Sequence, residues 1–570
     1  MRASSKLASA SRRSVWPLVC VLTLTTALLP ACTSAGRGDV PAGEDDAGAP
    51  PPAPDSGRAM IDAGPRSDLS HAVLMTTSGP VQGDVVDGLA RFRGVPYAAA
   101  PVGDLRWRAP VRVDPWTTPR DGTQYGAACM QPDHPLLPEP DQPQSEDCLF
   151  VNAWTAAHDS SERRPVMVWI HGGGWTTGAS SNPWYDGTAL AREHGVVVVS
   201  MNYRLGALGF IGHPLLTAES GDHASSNFGI LDQIAALEWV RENAAELGGD
   251  PSNVTIFGES AGGGSVCVLL ASPLTEGLFS RAIVESAACT KSMRDLRATT
   301  AQWDSAESVG EQLGAALGCE DASDVLSCMR GASADRVIGA LPTSMGLVDP
   351  GIKFWPGTDG FVLTETPGAA IEAGRHHHVP VVVGANEDEG ALFRPFFAEI
   401  DTLVEYDLFL RAQFGPYADA IRAVYPVRWP AEVNPTVERI LGDLTFVCAA
   451  REAVRDLARV DARTYLYHFS WVGPIGERYG LGAYHGSEIP YVFDHLDPAD
   501  GDYDDTDRAI AHETAGYWAR FATTGDPNGD GAPEWPRYDP ATDRDLRIDS
   551  PLAAESGLRR DVCDALQWLY

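Results

Sequence analysis

A serine with a glycine two residues before it and two residues after it is the strongest chemical signal in the sequence. Residues 258–262 read Gly-Glu-Ser-Ala-Gly, follow a β-branched run from Asn253 to Phe257, and precede small residues that favour a helix. A sharp strand-to-helix turn of this kind raises the serine hydroxyl out of a sheet. This turn requires small residues two positions before and after the serine, because the backbones of the strand and the helix nearly touch there. The pattern therefore predicts Ser260 as a nucleophile.

A glycine-rich segment offers backbone donors for the same chemistry. Residues 171–175 read His-Gly-Gly-Gly-Trp and follow a second β-branched run, Pro165 to Ile170. Glycine lets a backbone N–H approach an oxygen that gains negative charge during acyl transfer. Together with the serine turn, this segment predicts an oxyanion hole formed by the amides of Gly173, Gly174 and Ala261.

The elements that would position these residues alternate along the chain. Short β-branched runs separated by longer helical patterns predict an α/β fold, a mostly parallel sheet covered by helices. The predicted strands are Pro165 to Ile170, Val196 to Asn202, Asn253 to Phe257, Arg281 to Glu285, Val379 to Gly384 and Thr464 to Phe469. Apolar residues at helical spacing from Ile230 to Leu247 predict an amphipathic helix closed by Gly248 and Gly249. We expect helical pieces of residues 290–375 over the C-terminal edge of the sheet.

Composition limits the classes of protein to consider. The 570 residues are 44% hydrophobic and include 15 tryptophans, enough to bury a large core. The formal charge of −34 argues against nucleic acid as a partner, because phosphate binding draws on clustered Lys and Arg. No internal repeat or second linker interrupts residues 71–570, which we expect to form one large domain.

The N-terminus has the layout of an export signal. Basic residues precede an apolar stretch from Val15 to Ala31, which is too short for a comfortable membrane span, so residues 1–31 are predicted to be a signal peptide. Residues 29–32, Leu-Pro-Ala-Cys, resemble a bacterial lipobox, in which Cys32 would carry lipid; an ordinary signal peptide with a chance cysteine is the alternative. Residues 32–70, rich in Gly, Pro, Ala and Asp, predict a flexible tether.

Eight cysteines follow the predicted anchor. An even number in an exported protein predicts disulfides before any metal site, although spacing alone leaves the pairing open.

An ordered series of motifs gives the chain a family resemblance. Residues 72–570 resemble the type-B carboxylesterase and cholinesterase family of α/β-hydrolases. The landmarks are Arg93 to Ala98, Pro101 to Gly103, Ser145 to Leu149, Asn202 to Arg204, the Ser260 turn, Gly384 to Gly390 and Tyr484 to Ile489. The resemblance implies a large sheet flanked by helices, helical insertions over the active site, and hydrolysis of small-molecule carboxylic esters without a cofactor.

The resemblance also assigns the partners of the serine. It places the acid on Glu389 and the base on His485, in the chain order Ser, Glu, His of an α/β-hydrolase. Both residues follow predicted strands, and open α/β sheets gather their active sites beyond strand ends. Glu259 and Glu488 are expected to lie beside the nucleophile and the base.

Structural pairs are implied in the same way. The family pattern maps onto the disulfides Cys129 with Cys148, Cys319 with Cys328, and Cys448 with Cys563, and onto the ion pairs Arg106 with Glu146 and Arg204 with Asp232. Cys267 and Cys289 are left either free or paired with each other.

Other residues compete for chemical roles. His171 and His223 are rival bases, with His171 a wall residue by the family match. His376, His377 and His378 could suggest a metal, but no carboxylate or cysteine spacing accompanies them, and a solvated loop is favoured. Residues 526–531 match the first half of an EF-hand calcium loop. The twelfth position of such a loop requires a glutamate and is Arg537 here, so a simple turn is favoured.

Two functions rival that of a soluble esterase. A non-catalytic binding protein on this fold is disfavoured because the serine, acid and base are all present. A lipase with the Cys129 to Cys148 loop as a lid is disfavoured because that loop is acidic and Pro-rich, with only Leu136 and Leu137 apolar. Residues 130–147 lack the aromatic residue with which cholinesterases bind choline, so we expect a preference for neutral esters with short to medium acyl chains.

Overall fold

A central sheet of eleven strands organises the molecule. The computed structural model describes residues 66–133, 140–344, 351–396, 400–461, 463–529 and 531–569. In chain order the strands are β1 (Asp84–Val86), β2 (Leu89–Pro96), β3 (Phe150–Thr155), β4 (Arg164–Ile170), β5 (Val197–Met201), β6 (Gly249–Glu259), β7 (Arg281–Glu285), β8 (Val381–Asn386), β9 (Thr464–Phe469), β10 (Arg544–Ile548) and β11 (Ala553–Ser556). Their spatial order is β11-β10-β9-β8-β7-β6-β4-β5-β3-β2-β1.

The middle of the sheet is parallel and its edges are antiparallel. Every pairing from β10 through to β5 is parallel, whereas β1, β2, β3 and β11 pair antiparallel. Successive residues of β4 enter opposite cores: Val166 and Val168 pack in one hydrophobic cluster, Met167 and Trp169 in another. Strands rich in β-branched residues, without alternating polar residues, are expected in a sheet that is covered on both faces.

Seven helices of ten or more residues lie in the described part of the chain. They are α1 (Phe228–Asn243), α2 (Ala261–Ala271), α3 (Ala306–Ala316), α4 (Leu403–Phe414), α5 (Val433–Gly442), α6 (Cys448–Ala458) and α7 (Asp505–Thr524). The shorter α-helices are Thr188–Glu193, Gly206–Gly209, Pro214–Glu219, Val325–Arg330, Ala334–Gly339, Pro367–Glu372, Ala418–Val424, Pro474–Tyr479, Ile489–Val492 and Arg560–Ala565.

The α/β architecture predicted from the alternation is confirmed, with shifts at element ends. The strand predicted from Val379 to Gly384 runs two residues later, and β6 extends beyond its predicted core at both ends. The helix predicted through Leu247 changes to a 3₁₀ turn after Asn243 and ends at Gly248, whose φ of 75° is the left-handed cap favoured by glycine.

Four disulfides join the described segments. Cys129–Cys148, Cys319–Cys328 and Cys448–Cys563 match the pairs implied by the family resemblance. Cys267 pairs with Cys289, the second of the two states left open for them, and so ties α2 to the chain beyond β7.

The two expected ion pairs are present: that of Arg204 with Asp232 is buried, and that of Arg106 with Glu146 is partly buried. Arg106 donates two 2.6 Å hydrogen bonds to Glu146, and Arg204 donates two of 2.7 Å to Asp232. The Asp232 carboxylate also accepts the backbone N–H of Arg204, so its oxygens are satisfied without water. Among the described residues, no helix is both long and apolar enough to span a bilayer. The predicted signal peptide and Cys32 lie outside the described residues.

Candidate active site

Ser260 occupies a strained turn between β6 and α2. Its φ of 56° and ψ of −120° are unusual for a residue with a side chain, a conformation that costs on the order of 1–3 kcal/mol and persists only where the surroundings impose it. The small neighbours are required: a Cβ on Gly262 would lie 1.9 Å from the carbonyl oxygen of Ile170. The turn predicted from residues 258–262 is therefore a consequence of α2 packing directly against the end of β4.

The glycine segment after β4 faces the same space as Ser260. Gly173 has a φ of 107°, and a Cβ there would lie 2.2 Å from the carbonyl oxygen of Thr177, so glycine alone fits. Gly173, Gly174 and Ala261 line one cavity together with Ser260. Ala261 is the first residue of α2, where a backbone N–H has no acceptor within its own helix.

Glu389 and His485 form a buried pair. His485 Nδ1 lies 2.6 Å from Glu389 Oε2, and the two residues are 6% and 1% exposed. The second carboxylate oxygen of Glu389 accepts the backbone N–H of Asn386 at 2.7 Å. Asp388 and Tyr484 form an isolated parallel bridge beyond the ends of β8 and β9, and this bridge aligns the two following residues.

A second carboxylate contacts the same imidazole. Glu259 Oε1 lies 3.1 Å from His485 Nε2, the ring nitrogen opposite Glu389. Glu488 is held nearby by hydrogen bonds donated from Ser286 and Asn386, and Glu285 accepts one from Trp518. Glu259 thus contacts His485 directly, whereas Glu488 is held by Ser286 and Asn386 in the same group of buried carboxylates.

Burial and mutual charge govern the titration of this cluster. Burial alone would lower the pKa of His485, but the carboxylates of Glu259 and Glu389 outweigh it and raise that pKa above its usual range. Burial raises the pKa of Glu259 despite the opposing charge of His485, and burial and Glu389 raise that of Glu488. Burial also raises the pKa of Glu285 well above its usual range. The cluster therefore shares protons as a coupled unit.

The cavity in front of Ser260 has a volume of about 1170 Å³. Besides the glycine segment, its walls are formed by residues 131–133 and 140–144, by the chain from Ala287 to Arg294, and by parts of the α5 to α6 region. Trp175 packs 5.5 Å from Trp355, whose ring in turn lies under Lys353. The predicted helical region of residues 290–375 thus contributes a wall at the C-terminal ends of the strands.

The competing histidines lie in other environments. His171 is buried, stacks 4.5 Å from Tyr203, and its Nδ1 lies 2.8 Å from the carbonyl oxygen of Gly172. Burial lowers the pKa of His171 to about 4, so it stays neutral. It packs against Tyr203 in the interior and is not among the residues that line the cavity. His223 is exposed and does not line the cavity described above.

The two possible metal motifs have other contacts. His377 Nε2 lies 2.8 Å from the carbonyl oxygen of Ser272, and His378 Nε2 lies 3.0 Å from that of Gly374. In the loop of residues 526–531, Arg537 pairs with Asp526 at 3.2 Å, so the position that a calcium ligand would occupy carries a cation bound to the loop. Asp530 of that loop lies outside the described residues.

Several cavity residues could not be identified from the sequence. Phe393 and Phe446 lie 5.1 and 4.4 Å from the His485 ring and enclose it. Trp303 and Trp355 form an aromatic wall from a region without recognisable motifs. These residues reach the cavity through the three-dimensional packing of the chain, and none belongs to a motif of fixed spacing.

The sheet topology and the strand, serine, helix turn define an α/β-hydrolase. The model of the carboxylesterase family matches residues 70–566, and the chain belongs to that family. It is therefore an enzyme, a carboxylic ester hydrolase.

Three relatives show how far the similarity extends. The chain is 36% identical over 495 residues to fumonisin B1 esterase of Sphingopyxis macrogoltabida, covering 85% of this chain and 87% of that protein. It is 36% identical over 496 residues to para-nitrobenzyl esterase of Bacillus subtilis (strain 168), covering 86% and 97%, and 34% identical over 524 residues to human cocaine esterase, covering 84% and 88%. Two structures of PNB esterase match with TM-scores of 0.73 and 0.75, at 32% and 33% identity. Each covers 87% of this chain, and the matches span 100% and 99% of the PNB esterase chains.

Proposed function

We propose that the protein cleaves carboxylic esters through an acyl-enzyme formed on Ser260. His485 takes the serine proton as the hydroxyl attacks the ester carbonyl, and it returns that proton to the departing alcohol. Water then attacks the acyl-enzyme with His485 again as the base. The chemistry needs no cofactor.

The observation that carries this proposal is the buried 2.6 Å contact between His485 and Glu389, with His485 lining the same cavity as Ser260, which is held in a strained turn. A carboxylate bound at Nδ1 fixes the imidazole tautomer that leaves Nε2 free to accept a proton, and it stabilises the imidazolium that forms. We assign Glu389 as the orienting acid on this basis. The Glu259 carboxylate, which lies at Nε2, favours the positively charged form of the His485 imidazole.

The amides of Gly173, Gly174 and Ala261 are proposed as the oxyanion hole. They line the Ser260 cavity from two sides, and a helix N-terminus favours negative charge. Losing one such donor typically costs on the order of 10²- to 10³-fold in kcat.

The proposed substrates are neutral esters with short to medium acyl chains. The described residues between 130 and 147 that line the cavity are Gln, Pro and Asp, with no aromatic ring for a quaternary ammonium group. The relatives are named for three different esters, those of fumonisin B1, para-nitrobenzyl and cocaine, which favours a tolerant alcohol site.

Labelling by a fluorophosphonate probe tests the nucleophile. The Ser260→Ala variant should lose both labelling and turnover of p-nitrophenyl butyrate while remaining folded. Ser181→Ala, a serine in the same cavity, serves as the matched control and should keep its labelling. Labelling of Ser260→Ala at the parental rate would overturn the assignment by showing that another residue is the nucleophile. Failure of the probe to label the parent would favour the non-catalytic binding protein.

Substrate choice is tested with p-nitrophenyl esters of increasing chain length and with a choline pair. We expect kcat/KM to peak at short to medium chains. Butyrylthiocholine should show no advantage over a neutral thioester of the same acyl chain. A choline preference above about tenfold, roughly 1.4 kcal/mol, would indicate that Trp175 or Trp184 binds the cation. A rate that rises sharply at the solubility limit of a triglyceride would instead favour the lipase alternative.

We further propose that residues 1–31 are removed on export, that Cys32 carries lipid, that residues 32–70 form a tether and that residues 71–570 form one hydrolase domain at the cell envelope. The four disulfides suit an oxidising compartment. A Cys32→Ser variant should move from the membrane fraction to the soluble fraction. Unchanged fractionation would rule out the anchor and leave a secreted enzyme.

A further inference from the structure

Two histidines and an aspartate from three separate segments meet outside the Ser260 cavity. His194 ends the short helix Thr188–Glu193, Asp494 follows the short helix Ile489–Val492, and His512 lies in α7. Asp494 Oδ2 is 3.1 Å from His512 Nδ1 and 3.5 Å from His194 Nε2. None of the three residues lines the cavity described above.

The spacing of these three atoms suits a tetrahedral metal ion. Zinc binds imidazole nitrogen and carboxylate oxygen at about 2.0–2.2 Å, which places neighbouring tetrahedral ligand atoms roughly 3.3 Å apart. The two observed N···O distances lie on either side of that value, and all three ligand atoms lie within 4.8 Å of one another. Small side-chain adjustments would therefore complete the geometry.

His194 supplies an independent sign of a missing ligand. Its side chain is only 9% exposed, and its Nε2 is buried without a hydrogen-bond partner among the described residues. Buried polar atoms are usually satisfied, and a cation bound between His194 Nε2 and the Asp494 carboxylate would satisfy this nitrogen. A simple hydrogen bond between His512 and Asp494 explains those two residues and leaves His194 unexplained.

We propose that His194, Asp494 and His512 form a zinc site with three protein ligands and a fourth position open to water. Two imidazoles and one carboxylate favour a late first-row ion over Mg²⁺ and Ca²⁺, which take oxygen ligands. His512 is 62% exposed, so an ion can enter from solvent.

The site is structural, because it lies outside the substrate cavity. It joins the chain entering β5, helix α7 and the segment that carries His485 and Glu488. An ion that binds the folded state alone raises stability by mass action. Zinc therefore links the segment that carries His485 to helix α7 and to the chain that enters β5.

Calorimetric titration of the chelator-treated full chain with zinc chloride tests the proposal. We expect one tight site in the parent and at least tenfold weaker binding in Asp494→Asn and in His512→Ala. His71→Ala is the matched control: it removes an exposed histidine that lies 2.9 Å from Asp68, in a pair that no third ligand completes among the described residues. Circular dichroism and ester turnover establish that each variant is folded.

Thermal unfolding provides the second readout. Zinc chloride should raise the Tm of the parent and of His71→Ala, should not raise that of Asp494→Asn, and should be ineffective when replaced by magnesium chloride. The proposal is overturned if the parent has no tight site. It is equally overturned if Asp494→Asn binds zinc as the parent does, the result expected of an ion held at His376 to His378. Neither result bears on Ser260, whose labelling is measured separately.

Discussion

Replacing Glu259 by Gln should move the acid limb of the pH–rate profile to lower pH. The group is 3.1 Å from His485 Nε2, and unit charges at that distance attract by about 1.3 kcal/mol even at the dielectric constant of water. That energy corresponds to about one pKa unit when both groups are charged. Because burial raises the pKa of Glu259, the shift is expected in the part of the pH range where Glu259 is ionised. In the proposed mechanism turnover needs neutral His485, and Glu259 favours the protonated form, so removing the carboxylate should let His485 lose its proton at a lower pH.

The assay is kcat/KM for p-nitrophenyl butyrate between pH 5 and 9, with enzyme stability checked at each pH. Glu452→Gln is the matched control because it removes a carboxylate from the same cavity, one that lies 3.9 Å from Lys291. We expect the acid limb of Glu259→Gln to fall by about one unit while that of Glu452→Gln stays in place. An unmoved or upward-shifted limb in Glu259→Gln would refute the role assigned to Glu259.

Three further predictions concern the acid, the core and the disulfides. Glu389→Gln should lower kcat by roughly 10⁴-fold, less than loss of Ser260 or His485; a larger loss in Glu387→Gln or Asp388→Asn would show that the register of the acid is wrong. Arg204→Met should cost about 3–5 kcal/mol in urea unfolding because it leaves Asp232 buried and unpaired, and a cost below 1 kcal/mol would contradict that account. Removing Cys448–Cys563, which spans 115 residues, should destabilise by about 5 kcal/mol against about 2.5 for Cys319–Cys328, which spans 9; equal costs would argue against a chain-entropy origin.

Motifs located the candidate residues, but not the contacts between them. The acidic run of residues 387–389 offers three carboxylates, and only the family motif favours Glu389. The structure separates the three: Glu387 pairs with His468, Asp388 accepts the amide of Ala483, and Glu389 reaches His485. A run of adjacent acids on an irregular segment has no periodicity that could have distinguished them.

Contacts between residues far apart in the chain could not be predicted from the sequence. The contact of Glu259 with His485 joins residues 226 positions apart, and nothing in either motif specifies it. His194 pairs with a residue 300 positions later, so no short ligand spacing marked the proposed zinc site. Strands β4 to β9 and helix α1 were predictable because β-branched runs and apolar residues at helical spacing indicate burial, whereas the walls built from residues 290–375 follow from packing alone.

The isolated bridge between Asp388 and Tyr484 has a consequence for the order of assembly during refolding. Glu389 and His485 can meet only after β8 and β9 are paired in register. In the sequence these two strands are separated by helices α4, α5 and α6. Contacts of such long sequence separation form late. Helical circular dichroism should therefore recover before esterase activity, which makes ester turnover a direct measure of completed sheet assembly.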